Sequence, residues 1–308
     1  MASTAIAPIE QSASLIAEPL QTKDYKHFRV VPRTPVIGGW IEGCDLGSLG
    51  EDSRDDLRDA LWTYGVLFGK RQHLSFKAMK DIAHVYGDQL EQHTFAPTMA
   101  EQGHPEVVVI QRIKTDKAKA TTDIWHHDVS ARRHPNIMSI LQAEQVPFGA
   151  DTMWSSMSSA YLRMPTAIRA LFEALRIEHD SLYLMMRHDF GDQSIIDKIA
   201  ANREHSVHPA VIRHHATGRP CLFVGNGYVQ RVQGYEAELS EQLIRIANDY
   251  CKIPELQVRH SWEPGDVAIW DNFGTAHYGV SADIGDQVRR LHRVASWSET
   301  VTPEPYVA

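Results

Sequence analysis

The sequence predicts a mainly β fold, an antiparallel barrel or jelly roll with helices packed outside it. Three observations carry this. Short β-rich runs recur along the chain between Gly, Pro, Asn and Asp breaks. Amphipathic helical stretches gather at the front and in crossovers. The strands are too scattered for the regular strand–helix alternation of a doubly wound parallel sheet.

Residues 1–22 hold small apolar residues interrupted by Glu10 and Glu18, with no basic start and no compact apolar core. They read as a mobile N-terminal arm rather than a secretion signal. Residues 23–308 are expected to form one jelly-roll domain. Its first part, FRVVPRTPVIGGWIEGCDL over 28–46, mixes β-branched residues with turn formers and predicts short strands. Asp52 and Ser53 offer N-cap oxygens to a helix through Leu61, and Ser75 offers one to a second helix carrying Phe76, Met79, Ile82, Ala83 and Tyr86. EVVVIQ at 106–111 suits a buried strand. The polar stretch after it has little to bury, which suggests a lid near 112–123. Strands are expected at IWHHDVS (124–130) and at 137–144, followed by a helix with Pro165 in its first turn that runs through Leu175. Residues 185–207 show no clear period and read as an irregular insertion. Beyond them, AVIRHHATGRPCLFV predicts two strands around the turn 216–219. Leu239, Leu243, Ile246 and Tyr250 recur near helical spacing, and the chain closes with strands at 257–262, 266–270 and 290–297.

The chain has 308 residues, 43% hydrophobic and 23% charged, an ordinary globular composition. A net charge of -8 with a pI near 6.1 lacks the basic footprint of a nucleic-acid or anionic-membrane binder. No run approaches the roughly 18 apolar residues of a membrane span. Cys44, Cys221 and Cys251 show no C-x-x-C spacing, so neither a disulfide framework nor a thiolate zinc site is suggested. A soluble cytoplasmic protein acting on a small molecule is the expectation.

His126 and Asp128 stand two apart in a β-rich segment, and on a strand such residues share a face. With a distant second His they could form the two-histidine, one-carboxylate set that suits Fe(II) and leaves three positions open. H-x-D alone is common by chance, and His127 between them should point away into packing. WEPGDVAIWDNFGTAHYGV at 262–280 is more specific: a turn at 264–266, a buried strand, then a segment that returns His277 to the barrel interior. RRLHR follows at 289–293. On a strand Arg289, Leu291 and Arg293 share one face, and Arg290 and His292 the other, so one face can present two guanidinium groups to anions. 2-Oxoglutarate is such an anion: it chelates iron through its 2-oxo acid end and leaves a distal carboxylate for an arginine fork.

These motifs resemble the taurine dioxygenase (TauD/TfdA) family of Fe(II)- and 2-oxoglutarate-dependent dioxygenases, which includes aryloxyalkanoate dioxygenases and alkylsulfatases. The resemblance covers about residues 36–297 and rests on PVIGGWIEGCDL, WHHDVS, GADTMW, TGRPCLFVGNGYVQRVQG, WEPGDVAIWDNFGTAHY and RRLHR, in that order. It implies a double-stranded β-helix core, iron held by His126, Asp128 and His277, and O2 as co-substrate. It also implies that Arg289 and Thr152 bind the distal carboxylate of 2-oxoglutarate, and that His93, Tyr228 and Arg293 contact the substrate. The reaction implied is hydroxylation of an unactivated C–H bond with release of succinate and CO2. Family members are often oligomers, so a homo-oligomer is an expectation.

Departures from the family pattern leave alternatives. The segment between His277 and Arg289 is one residue longer than in taurine enzymes, so Arg290 could serve in place of Arg289. Ala131 stands where many members carry Phe, and Ala96 where taurine enzymes carry Tyr, which leaves room for a bulkier acid such as an aryloxyalkanoate. A sulfonate or alkyl sulfate ester is the alternative substrate, and a non-catalytic metal-binding barrel the alternative of another class. Arg293 could instead neutralise a buried acid, His93 could be a hydrogen-bonded loop residue, and Tyr228 could be core.

Overall fold

β-Branched runs separated by turn formers do become strands in the computed structural model, which describes residues 18–93, 96–112, 123–183, 193–280 and 286–307. The large sheet runs in the order Lys23–Asp24, Arg29–Pro32, Gly39–Glu42, Val66–Gly69, Val267–Asp271, Met138–Gln145, Arg289–Trp297, His104–Arg112 and Thr98–Met99, with Gln89–Leu90 also paired to Arg289–Trp297. Its neighbours are antiparallel except Gly39–Glu42 with Val66–Gly69, which run parallel. A smaller antiparallel sheet holds Thr152–Ser156 between Gln257–His260 and Thr275–Gly279.

The two sheets face one another across an apolar layer. Val66, Phe68, Leu141, Ala143, Ala268, Trp270 and Leu291 of the large sheet pack with Trp154 and Val258 of the small one, and with Ile37 and Trp262 from loops. Each large side chain buried here contributes roughly 1.5–3 kcal/mol by leaving water. This is a jelly-roll core, and it places Thr152 and His277 on adjacent strands, with His277 opposite Trp154 and Gly279 opposite Thr152.

Helices lie outside, and their sequence signals hold with shifts at the ends. Ser75 Oγ accepts the Ala78 N–H and caps Phe76–Ala83. Ser53 instead donates its hydroxyl to Gly50 O, so Arg54–Tyr64 grows from the tight turn Glu51–Ser53 without a side-chain cap. Pro165 sits at the cap position of Thr166–Ala174 rather than inside its first turn. In Ala237–Cys251 the buried stripe is Leu243, Ile244, Ala247 and Cys251, whereas Leu239 and Ile246 are exposed.

Two expectations are corrected. Residues 124–130 are not a strand: His126 makes a single bridge to His277, and Asp128 begins a turn in which Val129 takes a left-handed φ of 42°. A side-chain clamp from Asn272 replaces strand neighbours there, as described below. The irregular insertion expected at 185–207 contains the helix Gln193–Ala201 and the start of the strand His205–Pro209, which pairs with Arg176–Asp180. Ile196 and Ile199 of that helix pack around Ala131 and Tyr228, a long-range contact that local periodicity does not reveal. Residues 184–192, the lid expected near 112–123 (at 113–122) and residues 1–17 of the arm lie outside the described residues. The arm's last residues are tied down, since Leu20 N–H donates to Pro35 O and the Tyr64 hydroxyl to Gln21 O.

Candidate metal centre

His126 and His277 face each other because their backbones exchange two hydrogen bonds, N–H to O, both of 2.9 Å. Their ring centroids are 4.1 Å apart. Asp128 joins them through the turn. Its N–H donates to Asn272 Oδ1 at 2.7 Å, and Asn272 Nδ2 donates back to Asp128 O at 3.0 Å and to Asn136 O at 2.8 Å. Asp128 Oδ1 then lies 3.9 Å from His126 Nε2 and 3.6 Å from His277 Nε2. One donor atom from each of the three residues falls within 4.8 Å of the others. Gly225 and Gly227 let the chain pass close above: a Cβ on Gly225 would come within 2.7 Å of His127 Nδ1, and one on Gly227 within 2.8 Å of His126 Cβ. His127 itself is buried against Phe223 and is not one of the three grouped donors.

Protonation favours a divalent cation. Burial pushes the imidazole of His126 below its ordinary range and that of His277 well below it, and so keeps both neutral. For Asp128 burial acts the other way, but the Arg293 guanidinium, helped by the hydrogen bond from Ser139, outweighs it and holds the carboxyl far below the usual carboxylate range. His126 Nδ1 lies 2.7 Å from Ile124 O and so carries the proton, which leaves Nε2 free to ligate. Ser139 Oγ donates to Asp128 Oδ2 at 2.8 Å and orients Oδ1 toward the histidines. Two neutral imidazoles and a carboxylate form the donor set that non-haem Fe(II) takes, so the residues fit that metal.

Further along the barrel, Arg289 is buried and makes no ion pair among the described residues. Its Nη2 is 3.5 Å from Thr152 Oγ1 and its Nε 3.4 Å from Ala150 O. Burial, with Arg112 nearby, pulls the guanidinium down to about 10. Trp262 Nε1 also donates to Thr152 Oγ1, at 2.9 Å. With two N–H groups on that oxygen, the hydroxyl proton is left to donate elsewhere. Arg290 faces the other way and pairs with Glu144 at 3.0 Å, as does His292 at 3.4 Å.

The three side chains matched to substrate contact gather round Asp128. Arg293 bridges Asp128 Oδ1 at 2.8 Å and Glu91 Oε2 at 2.7 Å, so the alternative in which it neutralises buried acids is realised in this structure. His93 is pushed down to about 4 by burial, against the pull of Glu91, and its Nδ1 accepts the Ala96 N–H at 3.1 Å. Tyr228 is buried with Ala131 and Ile199, and burial together with Asp128 and Glu91 raises its phenol. Sequence reasoning passed over Glu91, Ser139 and Asn272. Asn272 lies inside the motif WDNFGTAHY, and Glu91 stands two residues before His93, so both were within sight.

Comparison with known proteins agrees with this geometry. The family described as "Taurine catabolism dioxygenase TauD, TfdA family" matches residues 29–295. The chain is 31% identical over 280 residues to an alkylsulfatase of Acinetobacter baylyi, covering 86% of this chain and 84% of that one. It is 30% identical over 276 residues to an alpha-ketoglutarate-dependent sulfate ester dioxygenase of Pseudomonas putida, covering 84% and 85%. Among solved structures, a taurine dioxygenase from Burkholderia xenovorans superposes with a TM-score of 0.72 at 28% identity, covering 88% of this chain and 91% of that one.

Proposed function

The chain belongs to the TauD/TfdA family of Fe(II)- and 2-oxoglutarate-dependent dioxygenases, and from that premise we propose that it hydroxylates an unactivated C–H bond of a small to medium organic acid, such as an aryloxyalkanoate. His126, Asp128 and His277 would hold the iron. Arg289 and Thr152 would hold the distal carboxylate of 2-oxoglutarate. Iron with 2-oxoglutarate bound supplies O2 activation, coupled to release of succinate and CO2.

The chain's own residues prepare that chemistry. The bond from His126 to Ile124 O fixes its tautomer, and Ser139 and Asn272 fix the rotamer and backbone of Asp128. The observation that carries the proposal is Arg289: a buried guanidinium with no carboxylate partner among the described residues, beside a hydroxyl whose proton is free. A buried cation left so calls for an anion, and a non-catalytic metal-binding barrel would have no use for the pair. The apolar wall of Ala131, Ile196, Ile199 and Tyr228 suits a substrate with a hydrocarbon or aromatic body, which is held while water is kept out. The two sulfur-ester relatives favour a second reading, a sulfonate or alkyl sulfate-ester dioxygenase. A cytoplasmic homo-oligomer belongs to the same proposal; Cys44, Cys221 and Cys251 are free thiols, as a reducing compartment allows.

The test is anaerobic. Fe(II) and 2-oxoglutarate added to the protein should produce the visible charge-transfer band of the chelate, and Asp128→Ala should abolish it. A wild-type protein that forms no band and turns over no 2-oxoglutarate with any acid refutes the proposal.

A further inference from the structure

Six large apolar side chains stand exposed among the described residues, and three of them, Tyr235, Leu239 and Ile246, lie on or just before the helix Ala237–Cys251. Scattered singly such residues are ordinary, but gathered in a row they mark a contact surface. The helix turns another face to the core, since Leu243, Ile244, Ala247 and Cys251 are among its buried residues. Seven positions separate Leu239 from Ile246, so the two stand nearly in line, and half-buried Tyr250, four further on, continues the row.

The charges beside this row select its occupant. Glu238 and Arg245 are also seven positions apart and lie along the side of the row away from the core. Both are exposed, and neither has an ion pair among the described residues. Two copies of the helix can lie antiparallel about a two-fold axis, with Leu239 of each against Ile246 of the other. That crossing also sets Tyr235 against Tyr250 and brings Glu238 beside Arg245, once on each side of the axis. A parallel arrangement would set Glu238 against Glu238 and Arg245 against Arg245, and like charges repel. The surface is thus complementary to itself in one orientation, which a second copy of this chain requires and an unrelated partner does not.

Resting on the homo-oligomer reading, we propose that Ala237–Cys251 pairs with its own copy in this antiparallel way, with Leu239 and Ile246 as the apolar centre and Glu238 with Arg245 as the flank that fixes direction. In paired helices the charges at such flanks set partner and orientation, while apolar anchors carry the affinity.

The experiment is sedimentation equilibrium of the full-length chain over about 1–200 μM, where association follows mass action. Wild type should assemble. Leu239→Glu sets a carboxylate in the apolar centre and should lower the assembly to about half its mass at concentrations where wild type is complete. If that variant does not fold, Ile246→Lys is read by the same criterion. Glu238→Arg and Arg245→Glu should each weaken association about tenfold or more, and the two together, which exchange the charges, should return it to within about threefold of wild type. A wild-type assembly that Leu239→Glu leaves intact, or a charge-exchanged variant as weak as the single ones, overturns the helix pairing alone. A wild type that stays monomeric throughout overturns the homo-oligomer reading itself, so the two failures are distinct.

Discussion

Arg289 and Arg290 are neighbours in sequence and point into different worlds, one buried beside Thr152 and the other on Glu144 outside. Strand alternation predicts that division from RRLHR alone, while the length of the segment before it left the choice between them open. Arg289→Gln should raise the 2-oxoglutarate concentration needed for band formation by about 30-fold or more, because a buried charge-assisted contact is worth roughly 2–5 kcal/mol. Arg290→Gln should change it less than about threefold, since it faces away from Thr152 and its ion pair is partly exposed. Equal effects of the two substitutions would reject the assignment of Arg289. Arg293 shows the limit of motif reading at this scale. Its position and charge are written in the sequence, but its partners Asp128 and Glu91 come from segments 165 and 202 positions earlier, and only folding brings them together.

The proposed metal ligands depend on a turn, and the turn depends on another element. Strand geometry would also have set His126 and Asp128 on one face; the structure brings them within 3.9 Å through a turn instead. Asn272, at the end of Val267–Asp271, makes three buried hydrogen bonds, two of them to the backbone of Asp128. Asn272→Ala would leave those backbone groups unsatisfied. A loss of about 2–4 kcal/mol in urea unfolding is expected, with weaker Fe(II) binding. A variant within about 0.5 kcal/mol of wild type and with unchanged metal affinity would show that the turn holds itself. The helix Gln193–Ala201 is the opposite case, an element whose local pattern was too weak to read and whose Ile196 and Ile199 pack in the cluster of Ala131 and Tyr228.

At the scale of the whole molecule, the core holds several histidines neutral. Burial is the main cause that pushes His127 down to about 3 and His208 and His215 down to about 4. In the unfolded chain an imidazole titrates near about 6.5. As pH falls from there to about 5, the unfolded chain takes up protons that the folded chain refuses, so stability must decline with falling pH. The depressed carboxylates act only below about pH 4.5 and leave this window to the histidines. Urea unfolding of metal-free protein at about pH 8, 7, 6 and 5 checks the sign. Stability that is flat or rising toward pH 5 would contradict the burial of these rings.

The sequence by itself determined the fold class, the two ends of the candidate metal set and the inward face of RRLHR, because turn formers, strand alternation and residue chemistry act over a few neighbouring positions. Only the tertiary structure decided that Asp128 sits on a clamped turn, that Arg289 has no carboxylate partner among the described residues and that Glu91 occupies Arg293. Those are statements about which distant groups share a water-poor space. Desolvation and charge pairing there depend on distances of a few ångströms between segments more than a hundred residues apart, and no local pattern encodes them.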